Sequence, residues 1–411
     1  MKVTFVGMTH LGLVSAVGAA AKGHHVLCYD CNPQLIAQLS QGTIPFVEPH
    51  LQESLIQHRT KITFSCDVQD LSKEQLIYIA PDIPTNDCGE SDLFSIQSLL
   101  ETILPHLYSQ AIVVIHSQVS PGFCRNISWP HLYYHVETLI FGQALNRATQ
   151  PERFIIGSKD PQKPLPKLFS NYLESYACPI LVMNYESAEL TKISINLFLI
   201  ASVSTTNTIA GLCEKIGAKW DEIAGALKLD KRIGKDAYLA PGLGIAGGNL
   251  ERDMATFCRL ADQHGADCSL IRNWQHLSKQ AALWTLKKLH AKHVLNSPDA
   301  KIAILGLAYK KDTSSIKNSP SIALLKYLRN YQVRAYDPSV KTTSEKHVKL
   351  MHSSYEAMDG ADVLIVMTPW DEFKTLTPSE TSSRMRGKTI IDPYGVLPKA
   401  FDTLNYVKLG E

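Results

Sequence analysis

The sequence predicts an α/β protein: an N-terminal open parallel sheet, a central region built on one long helix, and a second, smaller α/β unit. Three observations carry this. Short β-branched runs alternate with helical stretches over residues 1–185 and again over 297–411. Between them, Tyr185 to Ala218 runs without a proline, with apolar residues at helical spacing on more than one face. A chain of 411 residues also exceeds one ordinary core, so two or three domains are expected. The expected division is 1–185, 186–296 and 297–411.

"KVTFVG" opens the chain as a strand ending in glycine, "LGLVSAVGAAAKG" follows as a small-residue helix, and "HHVLCYD" is a second strand ending in an acid. That is a βαβ unit starting a parallel sheet. Further strands are expected at "QLIYIA" (75–80), "AIVVIHS" (111–117), "RFIIGS" (153–158) and "PILVMN" (179–184). The long apolar helix that follows should be buried, between domains or against another subunit. Helical segments continue to about residue 296, and strands return at "KIAILGLAYK", "YQVRAYDP", "ADVLIVMTP" and "KTIIDPYG". Open α/β sheets bind ligands outside the carboxyl ends of their strands, so each unit is a candidate binding domain.

Composition narrows the class. Apolar residues at 45% and charged residues at 19% describe a soluble globular chain. A net charge of +2 gives no electrostatic footprint for nucleic acid. No uncharged apolar run of bilayer length is evident, and the first residues read as strand and helix, not as a signal peptide. Nine scattered cysteines are expected as reduced thiols in a cytoplasm. Cys28 and Cys31 form a C-x-x-C with no second pair, and are expected as packing cysteines; no metal site is expected.

The first turn, Gly7-Met8-Thr9-His10-Leu11-Gly12, keeps two of the three glycines of a dinucleotide-binding turn. Thr9 at the middle position either crowds a pyrophosphate with its Cβ or bonds it with its hydroxyl. Asp30 ends the second strand, where an acid can bond both hydroxyls of an adenosine ribose. Its neighbours Cys31 and Asn32 are uncharged, which favours NAD over NADP.

Taken in order, the motifs resemble the UDP-glucose/GDP-mannose dehydrogenase family nearly end to end. The segments are "GTIPFVEPHL", "IPTNDCGESDL", "AELTKISINLFL", "DKRIGKDAYLAPGLGIAGG", "GLAYKKDTSSIKNSPS" and "TPWDEF". The resemblance implies NAD-dependent oxidation of a nucleotide sugar's C6 alcohol to a carboxylate, a UDP-sugar being favoured, as in polysaccharide biosynthesis. It further implies a Rossmann-type NAD-binding domain, a central dimerisation region giving a cytoplasmic homodimer, and a nucleotide-sugar-binding C-terminal domain. By motif position the acid/base and oxyanion residues are Lys192 and Asp253, Asn196 is the helical partner of Lys192, and Glu137 is the glutamate that assists hydrolysis. An ordinary loop glutamate is the alternative for Glu137. Gln118 falls at a cofactor position, and Tyr238, Gly242, Gly244 and Lys310 at sugar and phosphate positions.

The departures cluster. Asn249 stands where the family has its nucleophilic cysteine, with Gly248 before it and Glu251 at the family's proline. A carboxamide is no nucleophile at neutral pH. Gln118 and Ile83 replace threonines, and Ser315 and Lys317 an acid and an arginine. "IDPYG" removes an arginine, Phe141 stands at a second glutamate, and Cys258 lies too far along to substitute. Two functions remain open. One is an oxidoreductase whose reaction stops at an aldehyde or ketone, oxidises a hydrated aldehyde directly, or epimerises. The other is a catalytically silent protein that holds NAD or a nucleotide sugar.

Overall fold

The computed structural model describes residues 1–86 and 89–411; Asp87 and Cys88, within the "IPTNDCGESDL" segment, lie outside the described residues. The chain forms two compact units, Met1–Ile195 and Asn196–Glu411.

Among the described residues the first unit is built on eight strands: β1 (Lys2–Val6), β2 (His25–Tyr29), β3 (Ile62–Ser65), β4 (Leu76–Ile79), β5 (Ile112–Ile115), β6 (Leu132–His135), β7 (Phe154–Ser158) and β8 (Ile180–Asn184). Their order is β3-β2-β1-β4-β5-β6-β7-β8, parallel throughout except for the antiparallel pair β6–β7. The first six positions repeat the 3-2-1-4-5-6 order of doubly wound folds. Alternation along each strand feeds two cores. Val26 and Cys28 of β2 and Leu76 and Tyr78 of β4 pack on one face. Leu27, Tyr29, Ile77 and Ile79 pack on the other. Both faces are covered, which is why these strands read as continuous apolar runs.

The second unit has an all-parallel sheet of β9 (Lys301–Leu305), β10 (Gln332–Tyr336), β11 (Val348–Leu350), β12 (Val363–Val366), β13 (Thr389–Asp392) and β14 (Asn405–Lys408). Its order, β11-β10-β9-β12-β13-β14, is again the doubly wound one. The helices Tyr185–Ile216, Trp220–Leu229, Asn249–His264, Ser269–Ala282 and Trp284–Ala291 fill the central stretch.

The strands expected from sequence all form, and four others join them. β3, β11 and β14 are three or four residues long and lie at sheet edges, with too few buried side chains to print a pattern. β6 ("LYYH") follows a Trp-Pro loop and is short, but Tyr134 and His135 are buried.

The long helix is only partly buried. Phe198, Leu212 and Ile216 are exposed at 78%, 53% and 66%. Among the described residues it is also the one helix long and apolar enough to cross a membrane by length and composition, at a mean hydropathy of 1.4 over its best window. Against a span, its first turns are protein core: Tyr185 and Ala188 are buried in the first unit, and the Glu189 carboxylate accepts N–H bonds from Gly122 (2.6 Å) and Cys124 (2.9 Å).

The β1–helix turn needs its glycines. Gly7 sits at φ +91°, and a Cβ at Gly12 would stand 1.9 Å from the Gly7 carbonyl oxygen. Backbone cannot swing aside as a side-chain tip can. Gly12→Ala is expected to lower stability by about 3 kcal/mol, the upper end of overpacking costs, read as a shift in urea midpoint. A variant as stable as the parent would contradict the close approach.

Candidate active site

The first unit places the expected dinucleotide residues together. Met8 N–H donates to Asp30 Oδ2 at 2.7 Å and Asn32 N–H to Asp30 Oδ1 at 2.9 Å, so the acid at the end of β2 is fixed beside the Gly7 turn. Both carboxylate oxygens keep lone pairs for ribose hydroxyls. Thr9 precedes the helix His10–Ala21, and its hydroxyl is engaged: Oγ1 accepts the Asp82 N–H at 2.7 Å. His10 Nε2 lies 2.9 Å from Glu48 Oε2, and Glu48 also accepts N–H bonds from Gly142 (3.1 Å) and Ala144 (2.8 Å). Gln118, two residues past the hydrogen-bonded His116, is half-buried, and Ile83 is buried.

Asp82 was not anticipated. Its Oδ2 accepts the Leu11 N–H at 3.3 Å, so a carboxylate sits at the first turn of the very helix whose N-terminus would face a pyrophosphate. The Gly7–Gly12 cradle and the positioned Asp30 fit NAD; Asp82, which is exposed, must give way for it. Nothing in single-sequence patterning ties residue 82 to residue 11.

Beyond β6 the structure settles a partner for Glu137. Lys192 Nζ lies 2.9 Å from Glu137 Oε2, with both side chains nearly buried at 11% and 15% exposure. Leu139 N–H donates to the same carboxylate. Burial alone would push the Glu137 carboxyl up, but the Lys192 ammonium and these hydrogen bonds hold it below its ordinary value. His116 lies close enough to feel both charges, and its own pKa is lowered, mainly by burial.

The second unit holds the other expected group. Asp253 is fully buried on the helix Asn249–His264 and accepts a hydrogen bond from Asn196 Nδ2. Arg252 Nε stands 3.3 Å from Asp253 Oδ1. Asn196 sits one turn after Lys192 on the same helix, and both are polar against an apolar background. Asn249 is the first residue of its helix and is exposed.

The glycine loop before it is a built structure. Gly242 N–H donates to Asn207 Oδ1 (2.8 Å) and Ile245 N–H to Ser278 Oγ (2.7 Å). At Gly244, φ is +87° and a Cβ would meet Ser278 O at 2.5 Å; at Gly247 it would meet the Tyr309 ring at 2.8 Å. Asn318 Nδ2 donates to Gly247 O (3.0 Å) and to Glu251. Tyr394, in the "IDPYG" segment, lies against Gly242. Tyr238 is half exposed, and Lys310 Nζ stands 5.8 Å from the Tyr309 ring centre. A pocket of about 210 Å³ beside the loop is lined by Asn207, Gly242, Gly244 and Trp284.

Glu251, noted from sequence only as the residue at the family's proline, has a property that sequence reasoning did not anticipate. Burial pushes its carboxyl up to about 7, against the opposing pull of Lys317 and Lys279. The signal in the sequence was an acid in a helix first turn, which normally reads as capping. Cys258 is buried and belongs to a different cluster. Cys28 is buried in β2 as a packing cysteine, but Cys31 is exposed at the strand's end and does not pack as expected. Among the described residues no cluster of three metal-ligating side chains occurs.

Fold and site thus define a dinucleotide-binding α/β protein with buried acid/base pairs. Three domain models of one family match in sequence: the UDP-glucose/GDP-mannose dehydrogenase NAD-binding domain over 1–172, its central domain over 186–280 and its UDP-binding domain over 303–399. The chain belongs to the UDP-glucose/GDP-mannose dehydrogenase family, and NAD is its cofactor. It is 29% identical over 418 residues to the UDP-glucose 6-dehydrogenase of Rickettsia prowazekii (strain Madrid E), covering 97% of this chain and 96% of that one. It is 28% identical over 413 residues to UDP-glucose 6-dehydrogenase TuaD of Bacillus subtilis (strain 168), covering 95% and 88%. The solved UDP-glucose dehydrogenase of Pyrobaculum islandicum shares its fold at a TM-score of 0.85 and 23% identity, covering 99% and 96%.

Two measurements check this geometry. Asp82→Asn removes a negative charge from a helix N-terminus and should tighten NAD binding by roughly 2- to 5-fold, the effect of about 0.3–1 kcal/mol; calorimetry showing weaker binding would contradict it. Glu251 titrates near 7 when folded, against an ordinary value of 4.5. The folded chain then holds the extra proton between these values. The stability this gives is complete below the lower one and lost as pH rises through the higher. Glu251→Gln should therefore raise the melting temperature at about pH 8.5 and leave it nearly unchanged at about pH 4. Equal shifts at both would refute the raised carboxyl.

Proposed function

We propose that this protein is an NAD-dependent nucleotide-sugar oxidoreductase, with a UDP-sugar preferred, whose reaction ends short of the family's four-electron oxidation. The observation that carries the reading is the helix Asn249–His264: it keeps Asp253 buried and bonded to Asn196, but starts on a carboxamide. NAD, when bound, accepts a hydride from the sugar carbon. Lys192 is suited to hold the oxygen of that carbon, because Glu137 balances its ammonium in a buried setting where a lone cation would be unstable. Asp253 is suited to fix a proton-carrying water or hydroxyl, being held by Asn196 and Arg252. Without a thiolate, no thiohemiacetal forms and the thioester route is closed. The expected product is an aldehyde, a ketone or an epimer.

Asp82 favours the second reading in its nucleotide-sugar-binding form, a catalytically silent protein, since its charge at the helix start opposes the NAD pyrophosphate that turnover needs. The exposed Phe198, Leu212 and Ile216 lie on the long helix at spacings that repeat one face, and support a homodimer through it.

Purified protein incubated with NAD and UDP-, GDP- and CDP-sugars separates the readings. NADH formation with an aldehyde or keto product is expected, together with a loss of about 100-fold or more in Lys192→Ala. Binding without turnover would instead support the silent reading. A carboxylate product from the parent chain would overturn the proposed early stop and point to direct oxidation of the hydrated aldehyde, and carboxylate gained only by Asn249→Cys would show that the remaining site is intact.

A further inference from the structure

The helix Asn249–His264 stops on Gly265 at φ +68°, and Cys268 leads directly into the helix Ser269–Ala282. This tight return sets the Cys258 thiol against that of Cys268, with Arg272 reaching both sulfurs. Arg272 Nε donates to Cys268 Sγ at 3.1 Å, and its terminal nitrogen lies 2.6 Å from each oxygen of Asp262. The Cys268 thiol in turn points to Asp262 Oδ1 at 3.9 Å. Both cysteines are buried, at 9% and 5% exposure, but the Arg272 side chain is 54% exposed, so the cluster lies just under the surface.

We infer that Cys258 and Cys268 form a reversible dithiol–disulfide pair, a modification site for small-molecule disulfides such as glutathione disulfide. Two thiols in mutual contact, one beside a guanidinium and a carboxylate, are arranged for exchange, which a single buried cysteine is not. Cys268 is the attacking sulfur. The guanidinium of Arg272 balances its thiolate, and its sulfur bonds one sulfur of glutathione disulfide, expelling one glutathione thiolate, which takes up the proton that Cys268 released. Cys258 is the resolving sulfur, its thiol pushed up to about 11 by burial and by Cys268. On losing its proton it attacks the mixed disulfide at Cys268 and expels the second glutathione. Two protein thiols are oxidised and one glutathione disulfide is reduced to two thiols; the two protons end on the glutathiones. The bond ties the later turns of the helix that carries Asp253 to the helix that follows it. Cytosolic disulfides of this kind are usually transient and redox-sensing.

The test uses the full-length chain equilibrated in graded mixtures of reduced and oxidised glutathione, acid-quenched, denatured, alkylated and mapped by mass spectrometry. The expected result is loss of two hydrogens from the intact mass, with the Cys258 and Cys268 peptides cross-linked and returned to free thiols by reduced glutathione. Cys258→Ser should stop at a glutathione adduct on Cys268. The proposal fails if both cysteines of the parent chain stay fully alkylated at oxidising ratios, or if only the exposed Cys31 and Cys66 take up glutathione.

Discussion

The structure depends on keeping three polar side chains inside one apolar helix. Glu189, Lys192 and Asn196 follow one another at three- and four-residue spacing, which puts them on a single stripe of the helix Tyr185–Ile216. Each would be costly to bury alone, and each has a fixed partner. Backbone N–H groups of Gly122 and Cys124 hold Glu189, Glu137 holds Lys192, and Asp253 holds Asn196. A buried ion pair adds little net stability, but losing one member strands the other. The stripe therefore fixes the helix's rotation and, with it, the acid/base groups that the family resemblance assigns to it.

Burial differs sharply along the helix Asn249–His264. Asn249 is exposed at its start, where a change of side chain disturbs no core. Asp253, one turn on, is fully buried and tied to two neighbours. A substitution at the first position leaves the architecture alone; one at the second does not. The loop of glycines is held by its own contacts with Asn207, Ser278, Tyr309 and Asn318, and it persists whatever the helix start can do.

Much of this was legible in the sequence. Strands buried on both faces announce themselves as apolar runs, and the order of short motifs carried the family. What escaped notice falls into two physical kinds. Edge strands such as β3, β11 and β14 have few buried side chains, so their pattern is too short to register. Asp82 and Glu251 escaped because their character comes from surroundings distant in sequence. One is set by a hydrogen bond across 71 positions, the other by desolvation beside Lys317 and Lys279. Periodicity records neither.

The single antiparallel pair in the first sheet has a directional result. Because β7 runs against β6 and β8 runs with β7, the chain leaves β8 at the edge where β6 begins. The Tyr185 hydroxyl accordingly bonds the Leu132 carbonyl at the entry of β6, and two turns later Lys192 meets Glu137 just past that strand's exit. Had β8 followed the direction of β6, the long helix would have set out from the sheet's carboxyl rim and travelled away from it. One reversed connection is what aims the ammonium at the rim where such sheets do their work.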